Sequence, residues 1–206
     1  FRRAVNVERA FRRTTMSNAV IPSAPAPPSG GLTVAEFSRR YGHRYVELIR
    51  GVVREIPMPF ARHGIVCGQI SRYLGNFVED RDLGRIITND SFVQTETDPD
   101  TLVGAEVSYY CYERLPRGPI PEGILPVQPD LVVEVRSPSN TWTAIFGKVS
   151  DYLKVGVRAV VVLDPATVTA SVYRAEAIQV SFRATEDLVV PEVLAGFAVR
   201  VEKLFG

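Results

Sequence analysis

Apolar residues along this chain recur with two periods, and each change of period marks a new element. Between residues 62 and 79, Ile65, Val66, Ile70, Tyr73, Leu74, Phe77 and Val78 fall three or four apart, the spacing of one helical face. A second helix is predicted from about Thr141 to Val155, closing at Gly156 with the glycine favoured just past a helix end. Thr33 followed by Glu36 has the form of a capping box, opening a short helix to about Arg40. Elsewhere the pattern shortens to strands. Tyr45-Val46-Glu47-Leu48-Ile49 and Val52-Val53-Arg54-Glu55-Ile56 flank Arg50-Gly51 as a β-hairpin. Further strands are predicted near 85–95, 104–112 and 129–137. Another runs from Arg158 to Leu163, stopped by Asp164-Pro165, and two more fit 168–174 and 178–184. There is no internal repeat. The order is mixed α/β (α+β), with antiparallel hairpins and two principal helices.

One predicted strand breaks its own pattern. In Pro129-Asp130-Leu131-Val132-Val133-Glu134-Val135-Arg136-Ser137-Pro138, the residues Leu131, Val133 and Val135 make an apolar face. The other face carries Asp130, Val132, Glu134 and Arg136. A carboxylate buried without a partner costs several kcal/mol, so these charges need a metal, a cation or hydrogen bonds, unless the face meets water. The functional reading is a metal-binding catalytic strand, and the alternative is a half-solvated one.

Composition narrows the class. A chain of 206 residues with 46% hydrophobic content can bury one good core, and one domain over 31–206 is expected. No run of roughly 18 apolar residues is present, so no transmembrane helix is predicted and no membrane partner is expected. The two cysteines, Cys67 and Cys111, argue for a reducing cytoplasm over a disulfide framework, and neither shows a metal-ligand spacing in sequence. Residues 1–30 carry five arginines and one glutamate, +4, which leaves −3 over 31–206. That balance counts against a large non-specific nucleic-acid face.

Residues 1–30 are expected to be a disordered Arg-rich and Pro-rich segment. Residues 1–15 lack the apolar stretch of a secretory signal, an organelle-targeting peptide is the alternative, and Met16 is a second candidate start. Residues 21–30 read as a Pro-rich linker.

Chemistry concentrates where lysine is rare. Only Lys148, Lys154 and Lys203 stand against 21 arginines. Lys148 and Tyr152 lie four apart, so one helical face can bring both toward Glu134. Gly104-Ala105-Glu106 supplies another carboxylate at the start of a strand. Were the strands at 104–110 and 130–136 neighbours, Glu106 and Glu134 could share a divalent cation such as Mg²⁺, which takes one or two carboxylates plus waters and phosphate oxygens.

The ordered series of motifs resembles the PD-(D/E)xK nuclease superfamily, with its restriction-endonuclease-like fold, and within it the Uma-two family of endonucleases over roughly 32–205. The pieces are Leu32-Thr-Val-Ala-Glu-Phe37, Tyr45-Val-Glu-Leu-Ile-Arg-Gly51, His63, and Gly104-Ala-Glu-Val-Ser-Tyr-Tyr110. They continue with Pro129 to Ser139, Lys148 to Val157, the strand Val160 to Pro165, and Leu194-Ala-Gly-Phe197. The resemblance implies a central mixed β-sheet flanked by helices, and a Mg²⁺- (or Mn²⁺-) dependent endonuclease hydrolysing phosphodiester bonds in DNA. RNA is the alternative substrate, and a nuclease-like binding or accessory domain without turnover is the alternative function. Two positions depart from the family pattern. Ala105-Glu106 stands where an aspartate, often after proline, is usual, and Glu134-Val135-Arg136 stands where Glu-x-Lys is usual. Arginine cannot serve as a base at neutral pH, and the resemblance implies that the lysine's role lies on the following helix, at Lys148.

The expected site is therefore Glu106, Asp130, Glu134 and Lys148 as catalytic residues, the three carboxylates among them holding the metal. His63, Arg136 and Tyr152 are expected to contact substrate, and Glu47 is a further acidic candidate. Each has a plainer reading. His63 could be a helix-start polar residue, Glu47 half of an ion pair with an arginine, and Asp130 a turn cap. Trp142 and Tyr152 read as core or pocket wall rather than base-stacking platforms. A homodimer is expected, since one active centre cuts one strand.

Overall fold

A strand buried on both faces belongs in the middle of a sheet covered on both sides, and two strands here meet that condition. Every residue of Leu131–Val135 and of Ala159–Asp164 is buried. The two run parallel, Leu131 opposite Ala159 through Val135 opposite Leu163, and the helix Trp142–Lys154 makes the crossover that parallel neighbours require. This computed structural model describes residues 31–206, and the expectations for residues 1–30 lie outside the described residues.

In chain order the elements are α1 (Val34–Tyr41), β1 (Val46–Ile49), β2 (Val52–Glu55), α2 (Ala61–Asp80), β3 (Gly84–Glu96), β4 (Thr101–Cys111), β5 (Leu131–Val135) and α3 (Trp142–Lys154). Then follow β6 (Ala159–Asp164), β7 (Thr169–Tyr173), β8 (Val180–Phe182), β9 (Asp187–Val189), β10 (Ala198–Arg200) and a closing 3₁₀ turn, Val201–Leu204. The main sheet is ordered β2-β1-β4-β5-β6-β7-β8, with β3 also paired to β4, and β9-β10 form a separate hairpin. This is the expected central mixed sheet flanked by helices, with 104–110 and 129–137 adjacent.

Local chemistry explains the elements. Thr33 caps α1 through the Glu36 N–H, and Glu36 returns a carboxylate to the Thr33 N–H, the expected capping box. Arg50 and Gly51 both take positive φ, 49° and 74°, the two left-handed residues of a tight hairpin turn. Gly51 also lets the backbone pass close to Gly31. On the sheet, Leu131, Val133 and Val135 pack with Val66, Ile70, Leu74 and Val78 of α2. Val132 packs on the opposite face with Ile145, Val149 and Tyr152 of α3. A third cluster joins α1 (Phe37, Tyr41) to Val46, Leu48 and Leu102.

The structure adds three things to the sequence reading. Strand β4 starts at Thr101 rather than 104, and β5 is shorter than 129–137. The β9–β10 hairpin and the closing turn supply Leu188, Val199 and Leu204 to the α2-side core and were not predicted. Strand β3 has an irregular step between Thr88 and Ser91, where Asn89 and Asp90 take φ of 71° and 52°.

Candidate active site

The site forms where the sheet comes apart. Along one edge of β4, Leu102 pairs with Leu48 of β1, and Val107 to Tyr109 pair with β5. Between these contacts Gly104 to Glu106 face neither strand in a regular ladder. Val103 and Ala105 pack on the α3 side, whereas Val107 and Tyr109 pack on the α2 side, so β4 changes face at Glu106. Backbone groups exposed by such a parting need partners, since a buried unpaired N–H or C=O is costly. Side chains supply them. Glu47 of β1 accepts from the Gly104 N–H at 3.0 Å. The Gly104 carbonyl accepts from Lys148 Nζ at 3.0 Å and from the Tyr152 hydroxyl at 3.1 Å. The Val135 N–H donates to Glu106 Oε2 at 2.7 Å, and the Val135 carbonyl faces His63 Nε2 at 3.1 Å. Gly104 itself is closely packed, since an added Cβ would sit 3.1 Å from the Asp90 backbone oxygen and that strand would have to give by a few tenths of an ångström.

The same groups form an ionic network. Lys148 Nζ lies 3.0 Å from Glu47 Oε1 and 3.4 Å from Glu134 Oε2, while Tyr152 donates to Glu134 Oε1 at 2.8 Å. On the other side of the parting, Glu106 Oε1 lies 2.6 Å from His63 Nε2, and the Cys67 thiol donates to Glu106 Oε2 at 3.4 Å. The Asp90 carboxylate, brought in by the irregular step in β3, accepts from the Tyr45 hydroxyl.

Burial of Glu134, only 1% exposed, pushes its carboxyl up to about 7, with Lys148 pulling it down and Glu106 and Glu47 pushing it further up. Burial works against the Lys148 ammonium, yet Glu134 and Glu47 more than offset this and raise its pKa. Lys148 is therefore a cation throughout the neutral range and not a proton-accepting base. The Glu106 hydrogen bond raises His63 against the opposing effect of burial. Burial, then the Glu106 charge, pushes the Cys67 thiol up.

The structure thus brings together Glu47, Glu106, Glu134, Lys148, Tyr152 and His63. It does not bring Asp130 to them. Asp130 lies four residues before Glu134, roughly 13 Å along an extended strand. Its carboxylate accepts from the Cys111 N–H at 2.8 Å and pairs with Arg114 at 3.2 Å and Arg158 at 3.6 Å. Two-residue periodicity reports a face and not a position along it, so Asp130 shares the face of Glu134 without sharing its site. The two other expected substrate contacts lie at different depths. Tyr152 is fully buried with its hydroxyl committed, and Arg136 is held by Asp164 at 3.3 Å and lies 4.9 Å over the Trp142 ring. Trp142 is 39% exposed and stacked on exposed Phe146, a surface pair rather than core.

Asp90 and Cys67 escaped the sequence reading. Asn89-Asp90, two residues that tolerate a left-handed backbone inside an apolar run, were the available sign of the first. His63 and Cys67 stand four apart on the predicted helix, so their shared face was visible, but their meeting with Glu106 was not. Among the described residues, His63, Cys67 and Glu106 place donor atoms within 4.8 Å of one another, close enough to hold a metal ion.

Comparison with known proteins bears on the fold and the family. A crystal structure from Anabaena variabilis, titled a "putative nuclease belonging to DUF820", superposes with a TM-score of 0.74 at 22% identity, over 84% of this chain and 97% of that one. It shows a shared fold. No curated protein matches. The model of the Uma2 family, described as "Putative restriction endonuclease", matches residues 34–202, so the strand parting and its carboxylates lie inside the matched region, and the chain belongs to that family.

Proposed function

We propose that the protein is a metal-dependent endonuclease that hydrolyses phosphodiester bonds in DNA, acting in the cytoplasm. The observation that carries this reading is the surplus of carboxylate at the strand parting. Glu47, Asp90, Glu106 and Glu134 outnumber the fixed cation Lys148, and a protonated His63 would still leave the group negative. A divalent cation is the natural complement to such a group. Glu106 and Glu134, on the two parting strands, are the residues that would hold it, and their hard oxygens suit Mg²⁺ or Mn²⁺. When bound there, such an ion lowers the pKa of a water and offsets charge on the scissile phosphate.

The chain's own residues perform the rest. Lys148, held between Glu47 and Glu134, places a permanent positive charge where negative charge grows on the phosphate. The Tyr152 hydroxyl fixes the Glu134 carboxylate, and His63 fixes Glu106. Preset orientation of this kind avoids reorganisation during the reaction.

The test is nicking of supercoiled plasmid by the purified chain with Mg²⁺ or Mn²⁺, with Glu134→Ala as control and an RNA of matching sequence as a second substrate. Cleavage that needs the metal and disappears in Glu134→Ala supports the reading. Equal cleavage by the variant assigns the activity to something else. A second reading, nucleic-acid binding without turnover, is favoured by one observation: both oxygens of Glu106 already accept from protein groups, His63 and the Val135 N–H. DNA retention without nicking under every divalent ion would select it.

A further inference from the structure

We propose that His63, Cys67 and Glu106 form a seat for a borderline transition metal of the zinc and cobalt class, in addition to any hard cation held by Glu106 and Glu134. The binding of this metal stands independently of the nuclease reading, and only its use in cleavage rests on that reading.

Three donor types come within 4.8 Å of one another from two elements. His63 and Cys67 lie one turn apart on α2, and Glu106 reaches them from β4. Cys67 Sγ lies 3.5 Å from His63 Nδ1 and 3.4 Å from Glu106 Oε2. Metal–sulfur bonds of about 2.3 Å and metal–nitrogen or metal–oxygen bonds of about 2.0–2.1 Å put two ligands of a tetrahedral ion about 3.5 Å apart. The sulfur is thus already at ligand spacing from a nitrogen and an oxygen.

The donor set selects the ion. Thiolate and imidazole favour zinc, cobalt and their neighbours, while Mg²⁺ prefers oxygen and keeps its waters. Three side-chain ligands leave a coordination position free, the pattern of reactive zinc sites rather than closed structural ones. Packing alone does not explain the cysteine. It borders the α2-side core, which an aliphatic residue would extend equally well, and its sulfur is turned toward a carboxylate and an imidazole. As a hydrogen-bond donor a thiol is weak. Metal binding would release the thiol proton to solvent and leave a thiolate ligand.

The experiment uses the full chain, stripped with a chelator and titrated with Co²⁺. The expected result is one equivalent bound with a near-ultraviolet thiolate-to-cobalt charge-transfer band. That band is lost in Cys67→Ala, kept in Cys111→Ala and in Glu134→Gln, and not displaced by excess Mg²⁺. His63→Gln should weaken Co²⁺ binding by at least about 10–100-fold, the scale set by loss of an outer-shell partner alone. This second variant decides the matter should Cys67→Ala fail to fold. Absence of the band in the wild-type chain overturns the proposal, as does a band that survives Cys67→Ala or Co²⁺ binding unchanged in His63→Gln. A band without DNA cleavage leaves the seat standing and sinks the nuclease reading. Mg²⁺-dependent cleavage without a band does the reverse.

Discussion

Glu134 concentrates the tension of the site in one carboxyl group. Its pKa in the folded chain is about 7 against an ordinary value of 4.5, so the folded state holds the proton more tightly than the unfolded state. The stability this contributes is full below about 4.5 and is lost as pH rises through about 7. His63, also raised, contributes in the same sense: its share is present below its ordinary value of 6.5 and is lost as pH rises through its folded pKa. With divalent metal removed, thermal unfolding should therefore occur at lower temperature at pH 8 than at pH 5.5, the Glu134 share being on the order of 1–3 kcal/mol. Glu134→Gln should flatten this slope, and an unchanged slope would show that Glu134 is not the group responsible. Lys148→Ala removes the cation from two carboxylates. Breaking a buried pair this way typically costs about 3–5 kcal/mol, and less at pH 5.5, where Glu134 can accept a proton. In cleavage assays, loss of one such electrostatic group typically lowers the rate by about 10²–10³. Plasmid nicking by Lys148→Ala at the wild-type rate would remove the lysine from the mechanism.

The elements were legible in the sequence to the degree that their patterns are local. The spacing of Val66, Ile70, Leu74 and Val78 marks α2, and alternation about Val133 marks β5, because burial against one neighbour imposes a period. What the sequence could not show is pairing over long separation. Strands β1 and β5 share an edge of β4 and leave Gly104 to Glu106 between them, a fact of topology with no local signature. Hence Glu106, Glu134 and Lys148 could be singled out by residue type and motif, but the parting that unites them could not. Asp130 illustrates the opposite error, a correct face at the wrong end. Its partners, the Cys111 N–H, Arg114 and Arg158, tie the start of β5 to the end of β4 and the start of β6. Asp130→Asn should accordingly lower the unfolding free energy by a few kcal/mol, the usual result of neutralising one member of a buried charge cluster. At a temperature where it remains folded, its rate per folded molecule and its metal affinity should match wild type. A selective loss of metal binding in this variant would return Asp130 to the site.

At the scale of the whole molecule, charge and apolar surface point in different directions. The −3 balance over residues 31–206 gives long-range electrostatics little pull on nucleic acid, so contact must come from local shape and the few cations near the site. Arg44 and His43 line a broad cleft beside β3 that also includes Tyr45 and Asp90, and so adjoins the strand parting. Its rim is apolar in part. Met58 and Ile120 line it and are 71% and 49% exposed, and nearby in sequence Phe60 is 81% exposed. Large exposed side chains gathered in this way are the usual mark of a contact surface. A two-fold pairing of like chains through this surface would cover them and supply a second centre, which cutting both strands of a duplex in one encounter requires. The expected outcome is a dimer in sedimentation at micromolar concentration, shifted toward monomer by Met58→Ser combined with Ile120→Ser. In that variant nicked circles should accumulate from plasmid before linear product, because single-strand cuts need only one centre. A wild-type chain that sediments as monomer with and without DNA would overturn the pairing and leave those apolar residues to another partner.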